Sequence, residues 1–150
     1  MESLFSQETK NKVFNRINQL TPGIKPEWGS MRADQMLTHC QLPLEVSLGY
    51  LKLDPNIGFL KKLVFKLFKP ALYNDKPFRP NIPTPKEFEI MSSHDFAEER
   101  DKLIAVIDQF HNLPEDYQFP DHPYFGKFNN EQWGKMQYKH LDHHLRQFGV

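Results

Sequence analysis

The placement of proline is the feature that most constrains how this chain folds. Five of the twelve prolines lie between residues 70 and 85, and three more lie between residues 114 and 123. Proline fixes φ and has no backbone N–H, so neither stretch can form a regular helix. The regular structure must therefore come from the rest of the chain, and residues 70–85 must form a long connection.

Four segments outside these connections have the hydrophobic pattern of an amphipathic α-helix. In each segment apolar residues recur every three or four positions, so these residues would lie on one face of a helix. The four segments cover roughly residues 6–20, 30–50, 92–111 and 130–148. No segment shows a convincing strand alternation, so we predict an all-α four-helix bundle with a long proline-rich crossover. The length suits a single domain, residues 1–150.

Residues that favour helix ends give the expected boundaries of two helices. Ser92 with Asp95 resembles a capping pair at the start of the third helix, and Asn129 with Gln132 resembles one at the start of the last. Pro43 lies inside the second helix, where the missing backbone donor predicts a kink.

Composition excludes several classes of function. The 19 basic and 19 acidic side chains leave no net charge, which argues against the strongly basic surface of nucleic-acid-binding proteins. The single cysteine, Cys40, cannot form a disulfide within the chain, and we interpret it as a small buried side chain rather than a nucleophile. The first residues lack the basic-then-apolar order of a signal peptide, and no apolar run approaches the ~20 residues of a membrane span. From these two features we expect a cytoplasmic protein with no membrane partner, and from the net charge we expect no nucleic-acid partner.

One region is nevertheless strongly basic. Residues 52–86 contain seven lysines and one arginine against Asp54 and Asp75. Between Phe59 and Lys69 the lysines are interspersed with apolar residues in the pattern of a short amphipathic helix, which we expect as an extra helix. This helix could lie on a membrane surface. Its short length favours instead a helix that covers the open end of the bundle with its lysines in water.

Three histidines close together in the last helix are the clearest candidates for function. His140 and His144 are four positions apart, so both imidazoles lie on one helical face and could bind one metal ion. His143, three positions after His140, is a rival ligand, although an exposed position beside Asp142 is the simpler expectation for it. Spacing alone leaves two alternatives open, a metal site and a set of hydrogen-bonded core histidines.

A third ligand would have to come from another helix. His39 is the best candidate because it lies in the middle of the second helix beside apolar residues. His122 precedes the last helix and could line a pocket or stabilise a turn, and it joins His143 as a weak candidate for proton transfer. Gln137 and Gln147 lie about one turn from the histidine pair and could hydrogen-bond to ligands, although solvated glutamines are the more common case.

Two stretches of the sequence resemble the DinB/YfiT-like superfamily. They are WGSMRADQMLTHC, residues 28–40, and HPYFGKFNNEQWGKMQYKHLDHHLRQFG, residues 122–149, and the proline-rich NDKPFRPNIPTP between them looks like the same branch, one of unknown function. The resemblance covers most of the chain. It implies a four-helix bundle in which one histidine of the second helix and an H-x-x-x-H pair of the last bind a divalent metal. In this sequence those positions are His39, His140 and His144.

The resemblance also implies a kind of chemistry. Known relatives include transferases and isomerases that use the low-molecular-weight thiols bacillithiol or mycothiol, and some form homodimers. Structural zinc sites usually have four protein ligands, so three histidines would leave positions open for substrate or water. We therefore expect a metal-dependent enzyme, a thiol transferase or a hydrolase, that acts on a small-molecule substrate with zinc or nickel ahead of iron or manganese. The alternative is a non-catalytic bundle that binds a protein partner or a second copy of itself.

Overall fold

Five α-helices and two short 3₁₀-helices make up the regular structure of the computed structural model, which describes residues 2–55 and 57–150. Met1 and Asn56, which belong to the expected single domain, lie outside the described residues. The α-helices are α1 (Gln7–Ile17), α2 (Ala33–Ser47), α3 (Phe59–Phe68), α4 (Phe96–His111) and α5 (Asn130–Gln147). The 3₁₀-helices are Lys69–Leu72 and Lys86–Phe88, both in the connection from α3 to α4. The described residues form no β-strand, so the predicted all-α class is confirmed.

Side-chain caps begin α1 and α5 where the sequence favours them. The Ser6 hydroxyl accepts a hydrogen bond from the Thr9 N–H at 3.4 Å at the start of α1. At the start of α5 the Gln132 N–H donates to Asn129 Oδ1 at 2.8 Å, and the Asn129 N–H donates to Gln132 Oε1 at 3.1 Å. This reciprocal pair is the predicted capping box, and it satisfies two backbone donors that the first turn leaves unpaired.

The predicted start of the third main helix, α4, near Ser92 is wrong by a few residues. Asp95 is the N-cap, and its Oδ1 accepts the Glu98 N–H at 2.8 Å. The Ser92 hydroxyl instead lies 2.9 Å from His94 Nε2, outside the helix. Both serine and aspartate favour the N-cap, so the sequence pattern alone could not choose between them.

The second helix continues through its internal proline. Pro43 lies inside α2, which ends only at Ser47. Its carbonyl oxygen accepts a hydrogen bond from Gln137 Nε2 at 2.8 Å and so connects α2 to α5. The kink that Pro43 predicts remains a prediction.

The helices pack around one shared core. α2 packs against α4 and α5, and α1 packs against the same two helices. The largest fully buried side chains come from the N-terminal segment and from all four of these helices: Leu4, Ile17, Met36, Leu37, Leu44, Leu103, Ile107, Phe110, Trp133, Leu141, Leu145 and Phe148. Cys40 belongs to this core, as expected, with its Sγ 3.6 Å from Met36 Sδ. The packing of α2 on α5 places His39 opposite the histidines of α5.

Gly134 allows the N-terminal segment to cross α5 at close range. The Leu4 N–H donates to the Gly134 carbonyl oxygen at 3.1 Å. A Cβ atom at position 134 would lie 2.3 Å from Ser3 Oγ and 2.6 Å from Phe5 Cδ2, far inside van der Waals contact. Glycine disfavours helix formation, but α5 contains Gly134 because a larger residue would block the crossing of the N-terminal segment.

The short helix α3 does not bury the apolar residues that we expected to cover the bundle. None of its ten residues is buried. Phe65 contacts the body of the protein, with its ring centroid 5.5 Å from that of Tyr124 and 5.4 Å from that of Phe125. No helix in the described part of the chain has both the length and the apolar character of a membrane span.

Candidate metal centre

Three histidines from two helices converge on one point. His39 projects from α2, and His140 and His144 project from successive turns of α5. The Nε2 atoms of His39 and His140 lie 3.0 Å apart, and the ring centroid of His144 lies 4.7 Å from each of the other two. One nitrogen from each ring can be chosen so that all three lie within 4.8 Å of one another, a group that could hold a metal ion. The structure thus brings together the three residues named from the sequence.

A backbone carbonyl fixes the protonation of His39. Its Nδ1 lies 2.8 Å from the carbonyl oxygen of Phe88. A carbonyl oxygen only accepts, so Nδ1 carries the proton and the neutral ring has its free electron pair on Nε2, the atom that faces His140. Phe88 belongs to the short 3₁₀-helix Lys86–Phe88. The proline-rich connection therefore orients a candidate ligand, which the sequence did not reveal.

A side-chain amide, that of Gln147, fixes the protonation of His144. Its Nδ1 lies 2.8 Å from Gln147 Oε1, and Gln147 Nε2 donates to the Trp28 carbonyl oxygen at 2.8 Å. Because the amide nitrogen is committed to Trp28, its oxygen faces His144 and leaves the free electron pair of that ring on Nε2. Gln147 is therefore the supporting partner that its spacing suggested. Gln137 is not, since it bonds to Pro43, and both glutamines are buried rather than solvated.

Of the three rings, only that of His140 has no hydrogen-bond partner at Nδ1 among the described residues. Its Nδ1 is buried. Its Nε2 faces the free electron pair of His39 at 3.0 Å, a distance that requires a proton between the two nitrogens when no ion is present. A metal ion could replace this proton and bind both nitrogens at once.

Burial keeps all three imidazoles neutral. Desolvation lowers the pKa of His39, and a hydrogen bond to Phe88 offsets this only in part. Desolvation, followed by repulsion from the neighbouring histidines, lowers the pKa of His140 well below its usual value. The same two effects lower the pKa of His144 to about 3. Metal ligands must be deprotonated, so these shifts favour metal binding at neutral pH.

The spacing and the donor types fit a divalent transition metal. With metal–nitrogen bonds of about 2.0–2.1 Å, two ligands of one ion lie about 3.3 Å apart in tetrahedral geometry and about 3.0 Å apart in octahedral geometry. The nitrogens of His39 and His140 are already at 3.0 Å. Imidazole suits zinc, nickel, iron and copper. Because the three rings lack a fourth protein ligand in this group, they resemble an open site rather than a closed structural one.

His143 is buried, contrary to the expected exposed position. Its side chain lies between the rings of Trp28 and Phe78, with centroid distances of 5.7 and 5.8 Å, and is only 8% exposed. It does not belong to the converging group, although its ring is 5.0 Å from that of His144. Desolvation lowers its pKa, and its Nδ1 has no partner among the described residues. The sequence could not show this, because the two aromatic rings come from loops.

An apolar cavity of about 350 Å³ adjoins the three histidines. Its wall is built largely by the proline-rich connection and the loop before α5, and α3 contributes one side chain, Phe65. The apolar side chains in this wall are Pro43, Phe65, Leu72, Phe78, Ile82, Pro83, Pro85, Phe88, Phe125 and Met136. No lysine, arginine, aspartate or glutamate of the described chain lines the cavity. The long crossover, recognisable in sequence only as a connection, is therefore a wall of the site.

His122 lines the same cavity and also stabilises a turn, so both roles considered for it are observed. Its backbone exchanges two hydrogen bonds of 2.9 Å with Gly126. Its Nδ1 accepts the Tyr124 N–H at 3.2 Å, which leaves the proton of the neutral ring on Nε2. Burial, with a smaller contribution from the charge of Lys69, lowers its pKa to about 4.

Comparison with known proteins gives a family but no activity. A family model described as a protein of unknown function (DUF1569) matches residues 2–149. No curated protein and no solved structure matches the chain significantly. The match covers both helices that carry the histidines.

Proposed function

Because the chain belongs to the DUF1569 family of proteins of unknown function, we propose a function from its own site. The protein binds a divalent metal ion through His39, His140 and His144 and is a metal-dependent enzyme. The observation that carries this proposal is the convergence of three neutral imidazoles beside an apolar cavity. The resemblance of residues 28–40 and 122–149 to DinB/YfiT-like proteins supports the same ligand set.

The chemistry of the site follows from its charge. The three rings supply no negative charge, and no carboxylate of the described residues lines the cavity, so a divalent ion would favour an anionic ligand at its open positions. When bound, the ion acts as a Lewis acid and favours deprotonation of a thiol or a water molecule. A low-molecular-weight thiol as co-substrate makes the protein a transferase, and water alone makes it a hydrolase.

The cavity limits the second substrate. Its volume of about 350 Å³ accommodates a small molecule, and its wall away from the histidines consists mainly of apolar side chains. A charged group buried there would lack a partner, which is energetically costly. The substrate that fits is therefore small, neutral and largely apolar, and any charged part of a thiol must remain outside the cavity.

Two further histidines are the candidates for proton transfer. His122 offers its Nε2–H as a hydrogen-bond donor, because its Nδ1 already accepts from Tyr124. His143 has an unpartnered Nδ1, and burial lowers the pKa of its imidazole. We assign the donor role to His122 and keep His143 as the second candidate for proton transfer.

A substrate screen on the metal-loaded protein tests the proposal. Small thiols would be combined with neutral aromatic electrophiles, and neutral aromatic esters would be tested without thiol. We expect turnover in the wild type and none in His144→Asn. Turnover that requires a thiol identifies a transferase, and ester cleavage without one identifies a hydrolase. If the metal binds but neither panel gives turnover, the catalytic proposal fails, and the non-catalytic bundle remains.

A further inference from the structure

Helix α3 exposes its apolar side chains to solvent. The exposed fractions are 80% for Phe59, 76% for Leu60, 50% for Leu63, 50% for Val64, 74% for Leu67 and 62% for Phe68. Soluble monomers rarely leave so many contiguous large apolar groups in water, and such patches usually mark an interaction surface. The sequence alone favours a helix that covers the bundle, but this degree of exposure requires a different interpretation.

The six exposed residues share one side of the helix. At 3.6 residues per turn they span an arc of roughly 180°. Phe65 projects from the opposite side, where its ring contacts Tyr124 and Phe125. We call the six residues Phe59, Leu60, Leu63, Val64, Leu67 and Phe68 the apolar arc. Since Phe65 holds the other side against the protein, the apolar arc faces outward.

Lysines border the apolar arc on both sides. By the same helical geometry Lys61 follows one edge, next to Phe68, and Lys66 follows the other, next to Phe59. Lys62 and Lys69 lie beyond these edges, and residues 59–69 contain no acidic residue. Lys61, Lys62 and Lys66 form no ion pair with any described residue. The surface is therefore both apolar and cationic.

The apolar and cationic character of this surface distinguishes between its two simplest binding partners, a second copy of the protein and a lipid bilayer. A second copy that covered the apolar arc by two-fold symmetry would bring both sets of bordering lysines together, with no carboxylate in α3 to neutralise them. A bilayer that contains anionic lipid accepts the apolar arc among its acyl chains and the lysines among its headgroups. We propose that α3 is an interfacial helix that docks this protein on an anionic membrane surface.

Vesicle binding by the full-length protein tests the proposal. The probes are vesicles of phosphatidylcholine alone and of phosphatidylcholine mixed with phosphatidylserine, and binding is measured by co-sedimentation. We expect binding to the mixed vesicles that weakens with added salt and little binding to phosphatidylcholine alone. Each lysine near an anionic surface strengthens binding about fivefold, so Lys62→Glu/Lys66→Glu should weaken binding by roughly 30-fold or more.

The apolar arc has its own variant and a matched control. Leu60→Gln/Leu67→Gln should abolish binding to mixed vesicles while the thermal unfolding transition stays unchanged, because both side chains are already exposed. Lys25→Glu/Met91→Gln changes an exposed lysine and an exposed apolar residue outside α3 and should bind like the wild type.

Several results would overturn the proposal. Binding that is equal for both vesicle types, or absent from both, is incompatible with docking on anionic lipid. A dimer in sedimentation velocity that Leu60→Gln/Leu67→Gln converts to monomer would assign the apolar arc to a second copy instead. Wild-type binding by the two α3 variants would place the lipid contact elsewhere on the protein.

Discussion

The Gln147 side chain connects a candidate ligand to the chain before α2: its Oε1 accepts from His144 Nδ1 at 2.8 Å, and its Nε2 donates to the Trp28 carbonyl oxygen at 2.8 Å. The imidazole is thereby held with its free nitrogen towards His39 and His140. This arrangement makes Gln147 responsible for the orientation of the site without contact with the ion itself.

Gln147→Met should therefore lower metal affinity while leaving the three imidazoles in place. Loss of a partner that orients a ligand typically costs 10–100-fold in affinity, so we expect a decrease of about that size. A competition titration of zinc with a chromophoric chelator measures it. Gln137→Met is the control, because Gln137 is equally buried in α5 but bonds to Pro43. It should lose stability and keep its affinity, and an equal loss of affinity in both variants would contradict the orienting role.

The metal-free protein should lose stability in acid through His122. Its folded-state pKa is about 4, below the ordinary 6.5 that it regains on unfolding. Between these pH values the unfolded chain binds one more proton, so the free energy of unfolding rises with pH and levels off above the unfolded pKa. In this window one histidine contributes a slope of at most about 1.4 kcal/mol per pH unit. Urea unfolding of the chelated protein against pH measures this slope.

His122→Gln provides the comparison for that pH dependence. The variant should show a smaller slope in the same window, by up to one proton, because glutamine does not titrate. The other buried histidines, His39, His140, His143 and His144, contribute to the slope that remains, since their pKa values are lowered too. An unchanged slope in His122→Gln would mean that His122 is solvated in the folded protein.

Gly134→Ala should destabilise the protein although alanine favours helix. The gain in helix propensity is about 1 kcal/mol, but the new methyl group would meet Ser3 and Phe5 at 2.3 and 2.6 Å. Overpacking of this kind typically costs about 1–3 kcal/mol, so the N-terminal segment should be displaced or the fold weakened. Urea unfolding at neutral pH gives the difference. Gly23→Ala, where nothing lies within 4 Å of the new Cβ, should change stability by no more than about 0.5 kcal/mol.

The helical framework and the converging histidines were accessible from sequence because both depend on short-range spacing. The period of α5 placed His140 and His144 on one face, and the capping box of Asn129 and Gln132 set where that helix begins. The prediction that His39 joins this pair needed more than local spacing, since His140 lies about a hundred positions away in the sequence. The resemblance to DinB/YfiT-like proteins supplied that link.

The surroundings of the histidines were not accessible for a physical reason. Trp28, Phe78 and Phe88 lie outside the main helices, where no period shows which way a side chain points. Their contacts bury His143, fix the tautomer of His39 and form the cavity wall. Likewise the pattern of α3 revealed an amphipathic helix, but not that its apolar side would face solvent.

Metal content tests the central claim most directly. Tag-free protein purified without chelator would be dialysed against zinc and analysed by mass spectrometry beside His144→Asn and its neighbour His143→Asn. We predict about one ion per chain in the wild type and in His143→Asn, and a large loss in His144→Asn, because only His144 belongs to the converging group. No metal in the wild type, or metal lost from His143→Asn and retained in His144→Asn, would contradict the three-histidine site.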